Sequence, residues 1–95
     1  MEREQREQLE RRSNVFKALG HPTRLFLVQE LVRHERNVSD LTVLVGADVS
    51  TVSRHLSVLR QAGLVSADKQ GANVIYSLRI PCVVGFLDGV EGVLE

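Results

Sequence analysis

Ser50, Thr51, Ser53, Arg54, His55, Ser57 and Gln61 crowd into one short stretch of the chain. Hydroxyls of this kind reach phosphate oxygens or base edges, and a guanidinium matches O6 and N7 of guanine in a major groove. The chemistry they could do together is recognition of a duplex polyanion. No nucleophile–base pair, paired carboxylates or phosphate-cradling loop accompanies them, which argues against an enzyme, and no cofactor is implied. A merely solvated helix face also produces Ser/Arg patterns, so the elements that hold these residues decide what the pattern means.

Placed on a helix at ~100° per residue, Val49, Val52, Leu56 and Leu59 fall on one side. Ser50, Thr51, Arg54, Ser57 and Gln61 fall on the other, with Ser53 and His55 on the borders. Asp48 is an N-cap for this helix, roughly 49–62, and Gly63 its C-terminal stop. Before it, Ser39 is an N-cap candidate for a short helix containing Leu41, Leu44 and Val45, broken at Gly46-Ala47. After it, Leu64–Lys69 and Ala72–Arg79 read as two strands joined by Gln70-Gly71, with Val74, Tyr76 and Leu78 alternating. Two short helices joined by a tight turn and followed by a hairpin describe a helix-turn-helix with a wing. Upstream, apolar positions from Leu9 to Leu19 and from Leu25 to Val32 predict two further helices, divided by Gly20-His21-Pro22. Pro81 predicts the start of a last helix. Its apolar residues cover too much circumference for one buried face of a small domain. Residues 2–8 contain nothing apolar and are expected to be frayed, or helical only on a partner.

The chain has 95 residues, 43% of them apolar, which allows one domain (1–95). Its formal charge is zero, but the charge is uneven: Arg54, Arg60, Lys69 and Arg79 stand against Asp68 over 50–79, a net of +3. The last stretch, 80–95, carries only Asp88, Glu91 and Glu95. A polyanion would therefore meet the 50–79 region. No apolar run approaches the length of a membrane span, the charged start contains no secretory apolar segment, and the single Cys82 cannot form an internal disulfide. A soluble cytoplasmic domain is the expectation. A core this small suggests oligomerisation.

His21-Pro22-Thr23-Arg24-Leu25, followed by the stretch from Ser50 to Val65 (STVSRHLSVLRQAGLV), resembles the ArsR/SmtB family of bacterial winged-helix repressors. The resemblance covers about residues 12–94. It implies a mainly α fold of five helices with a β-hairpin wing, dimeric through the first and last helices. It also implies a homodimeric repressor on an inverted-repeat operator in double-stranded DNA, released by an effector. Ser50, Thr51, Ser53, Arg54 and His55 match the family's recognition-helix positions, and Lys69, Gln70 and Asn73 the wing. Arg54 and the Ser50/Thr51 pair are expected to contact bases or adjacent phosphates, while Ser53 and His55 are candidates for phosphate. For His55 the alternative is a border residue hydrogen-bonded within the fold. Ser39 either binds phosphate through its hydroxyl and helix N-terminus or serves only as a cap.

Two departures from the family stand out. Val49 occupies a position where relatives often place a base-reading polar residue, so it either packs inside or meets a thymine methyl. Ala72 stands where the wing often has Arg, which weakens the electrostatic contribution. The family's thiolate metal site would fall on Asn37–Leu41, which has no cysteine. Its carboxylate–imidazole site would fall on the last helix, which has no histidine. His21, His34 and His55 lie on three different elements, so no tetrahedral metal set is expected. Cys82 has three readings: a small buried hydrophobe, a thiol or redox effector site, or a thiophilic metal site shared with a second copy. Gly85, Gly89 and Gly92 lie near one stripe with Cys82 and suggest a dimer seam with the first helix; a small-molecule cavity and a fraying helix are the alternatives. A winged helix that docks on a protein instead of DNA is the remaining class, set against it the exposed basic face.

Overall fold

The computed structural model describes residues 1–95. The elements run α1 (Arg3–Leu19), α2 (Pro22–Arg33), β1 (Arg36–Asn37), α3 (Val38–Val45), α4 (Val49–Gln61), β2 (Val65–Gln70), β3 (Asn73–Leu78) and α5 (Val83–Leu94). Short-range chemistry sets most boundaries. The ring Nδ1 of His21 accepts from the Thr23 amide, and Pro22 follows at the first helical position, where its missing N–H costs nothing. Gly46 closes α3 in the left-handed region at φ +77. Asp48 then opens α4 by accepting the Thr51 amide at 2.7 Å. Past α4, the Leu64 amide donates to Leu59 O and the Gly63 amide to Arg60 O, with Gly63 at φ +83. This pair of bonds is the Schellman closure, and its apolar partners Leu59 and Leu64 are both fully buried.

All twelve buried residues are apolar. Leu27, Val28 and Leu31 of α2, Leu41 of α3, and Val52, Leu56 and Leu59 of α4 form its centre. α4 packs against α1, α2, α3 and β2, so the helix that carries the polar stretch is also the hub of the core.

Several sequence expectations are corrected. α1 begins at Arg3 rather than near Leu9: residues 3–8 are helical although all are exposed. Glu, Gln and Arg are good intrinsic helix formers, and the helix extends without a buried face. The cap of α3 is Asn37, whose side-chain oxygen accepts from the Asp40 amide at 2.7 Å. Ser39 therefore lies exposed within the first turn and is not the cap. The hairpin turns at Gly71-Ala72, with Gln70 paired to Asn73. Gly71 has φ +62 and Ala72 does not share the positive φ, which fits a two-residue turn with glycine first. The hairpin also gains a third strand: β1 pairs antiparallel with β3, Arg36 opposite Tyr76, giving the order β1-β3-β2. Glu30 of α2 anchors this strand through Arg36 at 3.5 Å. α5 starts at Val83, because Ile80 and Pro81 accept short-range bonds from Val83 and Val84 in a preceding turn. No helix is long and apolar enough to cross a membrane.

Candidate nucleic-acid interface

α4 presents its polar stretch as the wheel predicts. Ser50, Ser53, Arg54 and Ser57 are exposed, while Val52, Leu56 and Leu59 are buried behind them. Arg54 makes no hydrogen bond or ion pair within the chain, so its guanidinium is available to a ligand. Ser50 is partly occupied, its hydroxyl donating to Asp48 Oδ1 at 3.1 Å. Thr51 is half-buried rather than fully on the outer face. Hydrogen bonds from the Thr51 amide, the Thr51 hydroxyl and Ser50 hold the Asp48 carboxyl below its ordinary range, with Arg54 adding to the effect. That carboxylate is thus committed to the helix N-terminus.

Val49 is 56% exposed, which removes the packed reading for it. Val43 of α3 is also exposed. The wing presents Lys69, Gln70 and Asn73 at the free end of the hairpin, all exposed. Lys69 has no carboxylate partner, whereas Gln70 donates to Asp68 Oδ2 at 3.1 Å. Ala72 is exposed at the tip.

His55 is a half-buried member of a small polar cluster. Its ring lies 4.4 Å from that of His21, centroid to centroid. Arg24 Nη1 is 3.2 Å from His55 Nδ1. A guanidinium has only donors, so Nδ1 of His55 accepts and carries no proton there. Burial, with His21, Arg24 and Arg54 nearby, holds the imidazole pKa below its ordinary value. The three histidines lie at different places in the fold as the sequence indicates, but His21 and His55 meet because the α1–α2 corner folds onto α4. Arg24, Thr51, Arg54, His55 and Val58 together line an open concavity of about 290 Å³ beside α4. Arg24 was visible in the sequence only as part of a motif, and nothing in its spacing from His55 marked the contact.

The comparisons with known proteins bear on this arrangement. The family described as bacterial regulatory protein, arsR family, matches residues 21–67, from the His21 cap through the first half of β2. An HTH-type transcriptional regulator of Mycobacterium tuberculosis is 37% identical over 84 residues, covering 87% of this chain and 74% of that protein. The chain belongs to the arsR family. Among other members, the transcriptional repressor PagR of Bacillus anthracis is 34% identical, covering 83% of this chain and 80% of PagR. A homodimeric winged helix-turn-helix DNA-binding domain from Mycobacterium bovis superposes with a TM-score of 0.85 at 26% identity, covering 99% of this chain and 87% of that one. The winged helix-turn-helix of this arsR-family chain is therefore α3–turn–α4 with β2 and β3 as the wing, and the chain is a DNA-binding regulator, not an enzyme.

Outside that motif, Cys82 is exposed and free, so the fold of the single chain does not bury it. It borders an apolar groove of about 190 Å³ between α1 and α5, alongside Phe16, Leu19, Ile80, Val83 and Phe86. Phe16 and Phe86 meet edge to face at 5.5 Å. No three His, Cys, Asp or Glu side chains converge as a metal-binding group. A Cβ added at Gly85, Gly89 or Gly92 would meet nothing within 4 Å, so the fold of the single chain does not require these glycines.

Proposed function

We propose that the chain acts as a cytoplasmic homodimeric repressor that places two copies of α4 in successive major grooves of an inverted-repeat operator. Half-sites are then spaced by about 10 bp or a multiple. The observation that carries this reading is α4 itself: a helix rigidly seated by a buried apolar face while Ser50, Ser53 and the unpaired Arg54 face solvent. Thr51 and His55 border that face, and Lys69, Gln70 and Asn73 supply the wing contacts. Ser39, in the first turn of α3, is a phosphate contact through its hydroxyl. The test is fluorescence anisotropy with the DNA upstream of the protein's own gene against a scrambled duplex at fixed salt. Preference for the upstream duplex supports the proposal. Absence of binding to any duplex at low salt would instead favour a winged helix that docks on protein.

The dimer is supported by α5, a twelve-residue helix that buries only Val83. Phe86, Val90, Val93 and Leu94 remain exposed, as do Leu9 and Phe16 of α1, and Phe16 packs on Phe86. An apolar surface of this kind on a small domain marks an interface. Sedimentation should give twice the 10.6 kDa chain mass. Phe86→Asp should weaken association by about 2 kcal/mol or more, the scale of a buried aromatic anchor, while the far-ultraviolet circular dichroism stays helical. A dimer of unchanged affinity in that variant would place the interface elsewhere.

Effector release is the second part of the reading. The exposure of Cys82 favours a thiol-directed effector, an oxidant or a thiophilic metal bridging two copies, over a purely structural role. Arsenite, cadmium, zinc and a mild oxidant are therefore to be titrated into the DNA complex of wild type and of Cys82→Ala. Release of wild type alone assigns the role to Cys82. Equal behaviour of the two proteins removes it, and leaves a small molecule in the α1–α5 groove.

A further inference from the structure

Arg24 stands at the junction of three elements. Its Nε donates to Ala18 O at 2.6 Å and its Nη2 to Lys17 O at 3.3 Å. Those carbonyls belong to the last turn of α1, where the intrahelical bonds run out; Lys17 O also accepts from the Gly20 amide at 3.2 Å. Its remaining Nη1 donates to His55 on α4. One planar fork thus ties the end of the proposed dimer helix to the proposed recognition helix.

We propose that Arg24 is a positioning residue for DNA recognition, holding α4 against the end of α1 through a His55 ring that must be unprotonated at Nδ1. The inference rests on the reading of α4 as the recognition helix. It gives the α1–α2 corner a task that its packing does not need, because the buried core contains neither residue. It also makes the link breakable. A proton on Nδ1 would set an N–H against the guanidinium and leave Arg24 with only its α1 partners.

Nothing around the ring would stabilise that proton. The charged or titratable groups facing it are Arg24 from α2, His21 from the corner and Arg54 from α4. Lys17 of α1 lies next to Arg24 in the adjoining concavity. The chain's ion pairs, Arg33–Glu30 and Arg36–Glu30, lie elsewhere. His21 cannot take up the role, since its own Nδ1 caps α2. The sign follows: the link is intact above the ordinary histidine range and is lost as pH falls through the lower value of the folded state.

The experiment measures the ratio of specific to scrambled-duplex affinity, with the upstream duplex as probe, from about pH 7.5 down to about pH 5. The ratio cancels charge effects common to both duplexes. In wild type it is expected to fall on acidification. In His55→Asn, which keeps an acceptor that does not titrate, it is expected to be flat with pH, whatever its level. In Arg24→Lys, which keeps the charge but loses the fork, it is expected to drop about tenfold at the higher pH. A wild-type ratio that is flat or rises with acid overturns the proposal, as does an Asn variant with the wild-type slope.

A second readout needs no DNA. Imidazole nitrogen NMR of the free protein should show His55 with Nδ1 unprotonated, and its titration midpoint should move up in Arg24→Ala. An unmoved midpoint overturns the link, even if the upstream duplex proves not to be a target. The two readouts therefore separate failure of the link from failure of the recognition reading.

Discussion

Leu56→Ala is expected to destabilise the protein by about 2–5 kcal/mol, the range for truncating a buried leucine. Leu56 has no solvent exposure and sits in the middle of the face that α4 turns toward α2 and α3. Removing its branched end deletes the transfer energy of the lost atoms and leaves a cavity that helices pinned at both ends cannot close. A domain of this size has a total stability of about 5–15 kcal/mol, and each kcal/mol shifts Tm by about 4–8 °C. The variant should therefore melt at least about 8 °C lower. Because a dimer's stability depends on concentration, melts at two protein concentrations are needed, with Ser57→Ala as an exposed control on the same helix. A loss under about 1 kcal/mol would mean that the core is not packed around Leu56.

Arg54→Ala is expected to cost about 1–3 kcal/mol of operator affinity, with little change in stability. The side chain is exposed and without an internal partner, so its removal leaves no buried group unpaired. If it reads a base edge, the loss is confined to the specific duplex and discrimination at one base pair relaxes. Lys69→Gln on the wing supplies the contrast. A phosphate contact carries no sequence information, so that variant should lose affinity for every duplex alike and reduce the salt slope by about one unit. Unchanged specific affinity in Arg54→Ala would remove Arg54 from base recognition. A sequence-selective loss in Lys69→Gln would contradict its assignment to phosphate.

Both experiments probe α4, where sequence and structure agree most closely. Its start at Val49, its Asp48 cap, its stop before Gly63 and its division into a polar and an apolar side are properties of neighbouring residues. They depend on hydrogen bonds a few positions apart and on a period of 3.6 residues. The same holds for Gly20, Pro22 and Gly46, and for the hairpin apart from a turn shifted by one residue. The surplus of apolar residues on the last helix was also legible, and α5 indeed buries only Val83 in the single chain.

Other features were not local. A helical wheel gives an angle but no axial depth. Val49 shares the side of Val52 and Leu56, yet it lies at the end of α4 and points largely into solvent. Two-residue β1 carries no period of its own and exists because β3 lies beside it. Asn37 and Ser39 are both good caps, and the choice fell to the residue at which the chain leaves that strand. α5 begins at Val83, two residues after the Pro81 start that propensity suggests, and Cys82 lies exposed in the turn before it. The Arg24–His55 contact joins residues 31 positions apart. The sequence by itself determined the succession of helices, the Asp48 cap of α4, the hairpin and the chemistry offered to a groove, because each is decided within a turn or two of chain. Only the tertiary structure decided which surfaces stay open and which distant side chains meet, because those depend on how completed helices stack, and stacking brings together residues that no period connects.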